Sequence, residues 1–287
     1  MAYMKLNLEE LSSGQWVPER LEQAVNQVKL NGFVVVENAV PLDLVDELNA
    51  DFQSTVQEML KTDASKTEVN TSAFRRNRIR MDLPFREPYI HPLLLTNPFA
   101  LPIVERIVGE DCRMFYFSAD APMPGAEYQQ VHGDYAPFYP ESDTVLPIAG
   151  LVVNYPLVNV TEQNGPLEAW PNTHLTPERF FTGTYVQDAA KQLTPVKMLT
   201  PRGSLIVRDV RMWHRGTPNV SNEIRPNLAL IYARSWWNGA FYPQATLGVT
   251  KRTFDGLSDR AKRLLRFENL VGDSLPDPGW IRSTPTK

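Results

Sequence analysis

A histidine and an aspartate stand two residues apart in Gln129-Gln130-Val131-His132-Gly133-Asp134-Tyr135, and a second histidine lies far downstream in Arg211-Met212-Trp213-His214-Arg215-Gly216. In an extended strand, residues i and i+2 project to the same face, so one imidazole nitrogen and one carboxylate oxygen can reach a single point. With His214 added, the donor set is two imidazoles and a carboxylate with positions left open, which suits a non-haem Fe(II) oxygenase. Such a set leaves the ion one residual positive charge and three free sites on one side. A dianionic co-substrate fits two of them and dioxygen the third.

The His-x-Asp pair alone is weak, because a strand histidine beside a surface aspartate is common. Its weight comes from the residues downstream of His214. In His214-Arg215-Gly216-Thr217-Pro218-Asn219-Val220-Ser221-Asn222-Glu223-Ile224-Arg225-Pro226, His214 is expected to close one strand, Gly216 to Glu223 to form a turn, and Arg225 to start the next strand. A hairpin of that register returns Arg225 to the metal, where its guanidinium fork can clasp a carboxylate. The plainer reading of Arg225 is a surface salt bridge, for instance to Glu223.

The remaining chain must position these groups. Pro18, with Leu21, Val25 and Val28 at helical spacing, predicts a helix over about 17–30 that Asn31-Gly32 stops. Phe33-Val34-Val35-Val36 reads as a strand. Pro41 opens a second helix with Leu44, Leu48, Phe52 and Val56 on one face, ending near Lys61, and a further helix is expected over Phe99 to Gly109. Residues Asp63 to Asn70 are polar and read as a mobile segment. After Asp111, short apolar runs alternate with proline, glycine and asparagine. Arg113 to Ser118, Ala149 to Val158, Gly203 to Arg208 and Asn227 to Ala233 read as strands, which suggests a jelly roll or a related double-sheet barrel. Pro177 to Gln192 reads as a partly helical insertion.

Length and composition set bounds. The chain has 287 residues, 22% charged and 43% hydrophobic, with net charge −4. Those values describe an ordinary globular protein with a good core and no broad nucleic-acid footprint. A single domain is expected: a helix-rich part (1–110), a β core (about 111–240) and a C-terminal extension (241–287). The lone Cys112 excludes an internal disulfide and reads as a small buried hydrophobe. No signal peptide, membrane-spanning run or C-terminal peroxisomal tripeptide is evident, so a cytoplasmic enzyme is expected, without membrane or nucleic-acid partners; a homodimer stays open. Of four histidines, His91 and His174 read as structural. Phe74-Arg75-Arg76-Asn77-Arg78-Ile79-Arg80-Met81 carries four arginines in six residues. It is either a solvated basic face or a segment that binds an anionic substrate or covers the site.

Five stretches together resemble the phytanoyl-CoA dioxygenase family of Fe(II)- and 2-oxoglutarate-dependent oxygenases. They are Gly32-Phe33-Val34-Val35-Val36-Glu37-Asn38 between two helices, Gln129 through Asp134, Asn164-Gly165-Pro166 leading to Trp170-Pro171-Asn172-Thr173-His174, Pro201-Arg202-Gly203-Ser204-Leu205, and Trp213-His214-Arg215-Gly216 with Arg225. The resemblance implies a mainly β protein with flanking helices (α+β), built as a double-stranded β-helix (jelly roll, cupin-like) under a helical N-terminal layer. It implies His132, Asp134 and His214 as Fe(II) ligands, Arg225 on the distal carboxylate of 2-oxoglutarate, and Gln129 at the co-substrate. Departures fall at Pro166, Leu167 and Asn227, where many members carry a hydroxyl residue that bonds the co-substrate. Because Asp134 is kept, the resemblance implies O2-dependent hydroxylation, desaturation or a related oxidation rather than halogenation, with release of succinate and CO2. Tyr135, Phe138, Arg78 and Trp213 are candidate substrate contacts. The expected substrate is a small or mid-sized natural product, or an amino-acid-like metabolite, rather than a fatty acyl thioester. Two other classes compete: a metal-binding jelly roll without turnover, and a metal-dependent isomerase or hydrolase of the same fold that does not use 2-oxoglutarate.

Overall fold

The computed structural model describes residues 2–61, 77–181, 184–237 and 248–274. Its strands in chain order are β1 (Tyr3–Lys5), β2 (Phe33–Glu37), β3 (Arg78–Asp82), β4 (Arg113–Pro122), β5 (Gly150–Pro156), β6 (Leu167–Ala169), β7 (Val196–Met198), β8 (Leu205–Asp209), β9 (His214–Gly216), β10 (Asn227–Ala233), β11 (Val249–Thr250) and β12 (Leu270–Val271). Seven of them form one sheet in the order β1-β2-β8-β5-β10-β4-β3, and three form a second, β7-β6-β9. Apart from the parallel β1–β2 pair, every neighbour in these two sheets is antiparallel.

The valine-rich β2 shows why the strands are apolar on both faces. Val34 and Val36 join an outer core with Leu205, Val207, Leu151, Val153, Leu228 and Leu230, roofed by Val25 and Val28 of the helix Pro18–Asn31 and by Leu44, Leu48 and Phe52 of the helix Leu42–Leu60. Phe33 and Val35 turn the other way, onto Ile206 of β8 and Ala169 and Met198 of the small sheet. Alternate residues therefore serve two cores, and a strand covered on both faces reads as a continuous apolar run. The result is a double-stranded β-helix with a helical outer layer. Gly32 ends the first of these helices in a left-handed conformation, φ 86°, donating its N–H to Val28 O. A side chain there would also meet the buried His174, at 2.9 Å from Nδ1.

Three local expectations need correction. His132 and Asp134 do not lie on a regular strand; only a single bridge, His132 to His214, pairs that segment. His214 opens β9 instead of closing a strand. No hairpin joins His214 to Arg225, because β9 belongs to the small sheet and β10 to the large one. The intervening stretch is a crossover pinned by the fully buried Asn219, whose Nδ2 donates to Pro122 O at 2.9 Å and to Glu223 O at 2.7 Å. Local pattern cannot tell a turn within one sheet from a crossing between two, because both need the same polar, proline-containing connection.

Candidate metal centre

The bridge that replaces the expected strand does more than a strand would. His132 N donates to His214 O at 3.0 Å and His214 N to His132 O at 2.9 Å, a reciprocal pair that sets the two side chains beside each other. Their ring centroids are 4.4 Å apart. Asp134 closes the group, its backbone N–H donating to Val210 O at 2.6 Å. His132 Nε2 is 3.8 Å from Asp134 Oδ1, and His214 Nε2 is 3.5 Å from Asp134 Oδ2. One ligand atom from each of the three residues lies within 4.8 Å of the others.

Both imidazoles are held in the same tautomer. His132 Nδ1 lies 2.8 Å from Gln130 O and His214 Nδ1 2.9 Å from Met212 O. A carbonyl can only accept, so each Nδ1 carries the proton and each Nε2 turns a lone pair inward, as metal coordination requires. Burial, reinforced by the charge of Arg208 and opposed by Asp134, pushes the His214 imidazole down to about 3. Burial also lowers His132, against Asp134. Burial would raise the Asp134 carboxyl, but Arg208 first and then the two histidines hold it well below the usual carboxylate range. Two neutral imidazoles and one ionised carboxylate are thus the standing state. This donor set fits a divalent first-row metal.

The loop that carries His214 is braced from below. Arg211 makes a bidentate pair with Asp209, Nε to Oδ1 at 3.0 Å and Nη2 to Oδ2 at 2.7 Å, both residues being buried. Asp209 N in turn donates to Gly32 O. Val210, between Asp209 and Arg211, and Met212, next after Arg211, supply the carbonyls that receive Asp134 N–H and His214 Nδ1–H.

Arg225 reaches the interior without the hairpin. It is 5% exposed, precedes β10, and donates from Nη2 to Gly165 O at 2.8 Å. Burial lowers its guanidinium to about 10, with Asp120 opposing and Arg78 adding to the shift, so it stays charged at neutral pH. The salt bridge to Glu223 is not its environment. Gln129 grips β9: its N–H donates to Gly216 O, and its Oε1 accepts from Gly216 N–H at 2.8 Å. Any contact with a co-substrate therefore falls to the Gln129 amide nitrogen.

The substrate candidates divide. Arg78 is buried in β3, donating from Nη2 to Thr217 O at 2.8 Å with Nη1 3.4 Å from Asp120. Its guanidinium lies against Gly216, so close that a Cβ there would overlap it. Gly216→Ala is expected to force that buried group aside and destabilise the fold by about 1–3 kcal/mol. Thermal unfolding, with Gly256→Ala as the unhindered comparison, checks it. Phe138 is half-buried at an aromatic rim with Trp236 and Trp237, each 5.4 Å away. Tyr135 is buried, its hydroxyl donating to Glu178 Oε1 at 2.9 Å and its ring against Phe138 and Phe181. Trp213, 2% exposed among Val131, Trp170, Val186 and Ala190, offers no open ring to a substrate. His174 and His91 have structural surroundings: His174 is buried with Nε2 3.0 Å from Lys29 O, and His91 caps the short helix Pro92–Leu95. Arg75, Arg76 and the segment Asp63 to Asn70 lie outside the described residues.

Sequence reasoning missed Asp82, Asp120 and Arg208 on the inner face of the large sheet, where Arg78 and Arg80 of the basic stretch also lie. Strand register places Arg80 beside Asp120, Asp82 beside Ser118, and Arg208 of β8 beside Val152. The available signal was a charged residue inside an otherwise aliphatic strand, as in Leu205-Ile206-Val207-Arg208. Asp82 is 4% exposed, and its Oδ1 has no hydrogen-bond partner among the described residues. Burial raises its carboxyl from 3.8 to about 6, despite Arg80 and Ser118. The folded chain therefore binds this proton more tightly than the unfolded one. Its contribution to stability is fully present below 3.8 and is lost as pH rises to about 6. Asp82→Asn is expected to raise the unfolding midpoint at pH 8 and to lose that advantage below pH ~4. Equal midpoints at pH 8 would count against this environment.

The family model for phytanoyl-CoA dioxygenase (PhyH) matches residues 28–227. Dioxygenase af480 of Aspergillus fumigatus is 28% identical over 140 residues, 49% of this chain and 42% of that protein, so the chain matches less than half of that relative's length. Among solved structures, the fold is similar to the non-haem alpha-ketoglutarate-dependent epimerase SnoN from nogalamycin biosynthesis, with TM-score 0.58 and 18% identity over 76% of this chain and 85% of that one. It is similar to the carbocyclase SnoK from the same biosynthesis, with TM-score 0.57 and 16% identity over 77% and 87%, and to EvdMO1, with TM-score 0.60 and 21% identity over 75% and 50%. With the family match running from the last turn of the helix Pro18–Asn31 to the start of β10, the chain belongs to the phytanoyl-CoA dioxygenase family, non-haem iron enzymes that use Fe(II), 2-oxoglutarate and O2.

Proposed function

We propose that His132 Nε2, His214 Nε2 and one oxygen of Asp134 hold Fe(II), that Arg225 grips the distal carboxylate of 2-oxoglutarate, and that the chain oxidises a small natural-product-like molecule. The observation that carries this reading is the shared tautomer of the two histidines, each donating Nδ1–H to a main-chain carbonyl so that both lone pairs meet at the Asp134 carboxylate. Fe(II) and 2-oxoglutarate held there would activate O2, which is the oxidant: one oxygen atom would go into succinate as CO2 leaves, and the other would be available to oxidise the substrate.

The chain's own residues bind, orient and shield. The three ligands bring a single negative charge, and the buried Arg225 brings a positive one to meet the co-substrate. Gln129 fixes the strand next to His214 and presents its amide nitrogen. The rim of Phe138, Trp236 and Trp237, continued inward by Phe115, Tyr116 and Ile231, suits a ligand with a flat apolar face and limits water at the reacting centre. No described helix is long and apolar enough to cross a membrane.

The solved structures similar in fold to this chain include an epimerase and a carbocyclase, so the outcome of oxidation is read from the product rather than assumed. Purified protein is supplied with Fe(II), 2-oxoglutarate and O2 and screened against aromatic polyketide-like and amino-acid-like compounds, scoring succinate. The expected result is stimulated succinate release with at least one compound. The product should gain one oxygen for hydroxylation, lose two hydrogens for desaturation or ring closure, or keep its mass for epimerisation. Succinate no higher than from a His214→Ala blank, with and without every compound, would refute the reading.

A further inference from the structure

Arg208 lies next to the triad and has no role in the function proposed for it. It is 5% exposed on β8, where its neighbours Ile206 and Val207 are buried aliphatics. A buried guanidinium is costly unless ion-paired and hydrogen-bonded. Here Nη2 donates to Asp134 Oδ2 at 2.5 Å and Nε to Asn154 Oδ1 at 3.0 Å. Asn154, on the adjacent β5 and equally buried, is itself tethered by Nδ2 to Leu228 O of β10 at 3.4 Å. A chain of polar contacts thus runs from the centre of the large sheet to one oxygen of the carboxylate. Asp134 needs such support. It sits in an irregular loop, and no strand ladder fixes its direction.

We infer that Arg208 is a positioning residue that holds Oδ2 of Asp134 and so makes the carboxylate bind the metal through Oδ1 alone. This rests on the assignment of His132, Asp134 and His214 as the Fe(II) ligands. The reason for such a device is coordination number. A carboxylate bound through both oxygens takes two positions, leaving two where a chelating keto acid and dioxygen need three. Asp134 turned about its last torsion could do this, because that rotation is soft in aspartate. The Arg208 fork, locked at Nε by Asn154, opposes the turn.

The test compares wild type, Arg208→Gln, Arg208→Lys and His214→Ala. Fe(II) affinity is measured anaerobically, and the charge-transfer absorption of the Fe(II)–2-oxoglutarate complex is followed on titration with the keto acid. Arg208→Gln is expected to weaken Fe(II) binding about 10–100-fold, the usual effect of removing a group that orients a ligand. It should also need more 2-oxoglutarate to develop the absorption band, and the band should shift. Arg208→Lys, which keeps one donor but not the fork, should recover part of both. Should Arg208→Gln fail to fold, Asn154→Leu leaves the contact to Asp134 but unlocks the guanidinium, and a smaller loss in the same direction is expected. Affinity and band within about twofold of wild type in Arg208→Gln, or no loss in Asn154→Leu, overturn the inference while leaving the metal centre standing. Fe(II) bound equally by wild type and His214→Ala, or by neither, overturns both.

Discussion

Replacing His214 by alanine is expected to remove Fe(II) binding and, with it, all succinate release. His214 is 3% exposed, and its Nε2 is one of only three donors in the cluster. The two that remain come from His132 and Asp134, on a segment without a regular strand. The loss of affinity should exceed the roughly 10–100-fold that results from disturbing a group that merely orients a ligand. The fold should survive, because the pairing of residues 132 and 214 is made by main-chain atoms that alanine keeps. Anaerobic Fe(II) titration and a metal-free melting curve check both halves. Affinity within tenfold of wild type would place the metal elsewhere.

Arg225→Ala is expected to raise the KM for 2-oxoglutarate by about two to four orders of magnitude. A guanidinium that meets a carboxylate through two charge-assisted hydrogen bonds contributes about 1.5–3 kcal/mol per bond, and each ~1.4 kcal/mol is a factor of ten. The fold should tolerate the change, since Asp120, the acid that faces Arg225, has a side chain 41% exposed to water. Arg225→Lys keeps the charge but loses the planar fork, so it should fall between. The assay is substrate-free turnover across 2-oxoglutarate concentrations. An unchanged KM would refute the assignment, and an activity indifferent to 2-oxoglutarate would point to the isomerase or hydrolase class.

Much of the architecture is legible in the residues, for identifiable reasons. The helix Pro18–Asn31 announces both ends, with proline in its first turn and Gly32 past its last. β2, β5, β8 and β10 fall where short apolar runs predict them, because strands buried on both faces leave an unbroken signature. Sheet membership is not legible. The pattern from His214 to Arg225 predicts one hairpin, yet the segment crosses between sheets, a difference decided by partners far away, such as Pro122 under Asn219. Residue types predict which groups meet at the centre, but not the scaffolding between them. Spacing puts His132 and Asp134 on one strand, whereas a single rung and a bond to Val210 O hold them. Arg208 and Asn154 escape notice because a lone charged or amide side chain within an apolar run carries no motif.

That single rung between residues 132 and 214 has a bearing on how the polypeptide matures. Each of its two histidines is a ligand candidate, so the centre comes into being only when segments distant along the chain have already met. An ion that prefers the finished centre pulls the folding equilibrium toward it by mass action. Cells short of iron would then hold a protein that is not merely inactive but easier to unfold and degrade, so that metal supply sets abundance as well as rate.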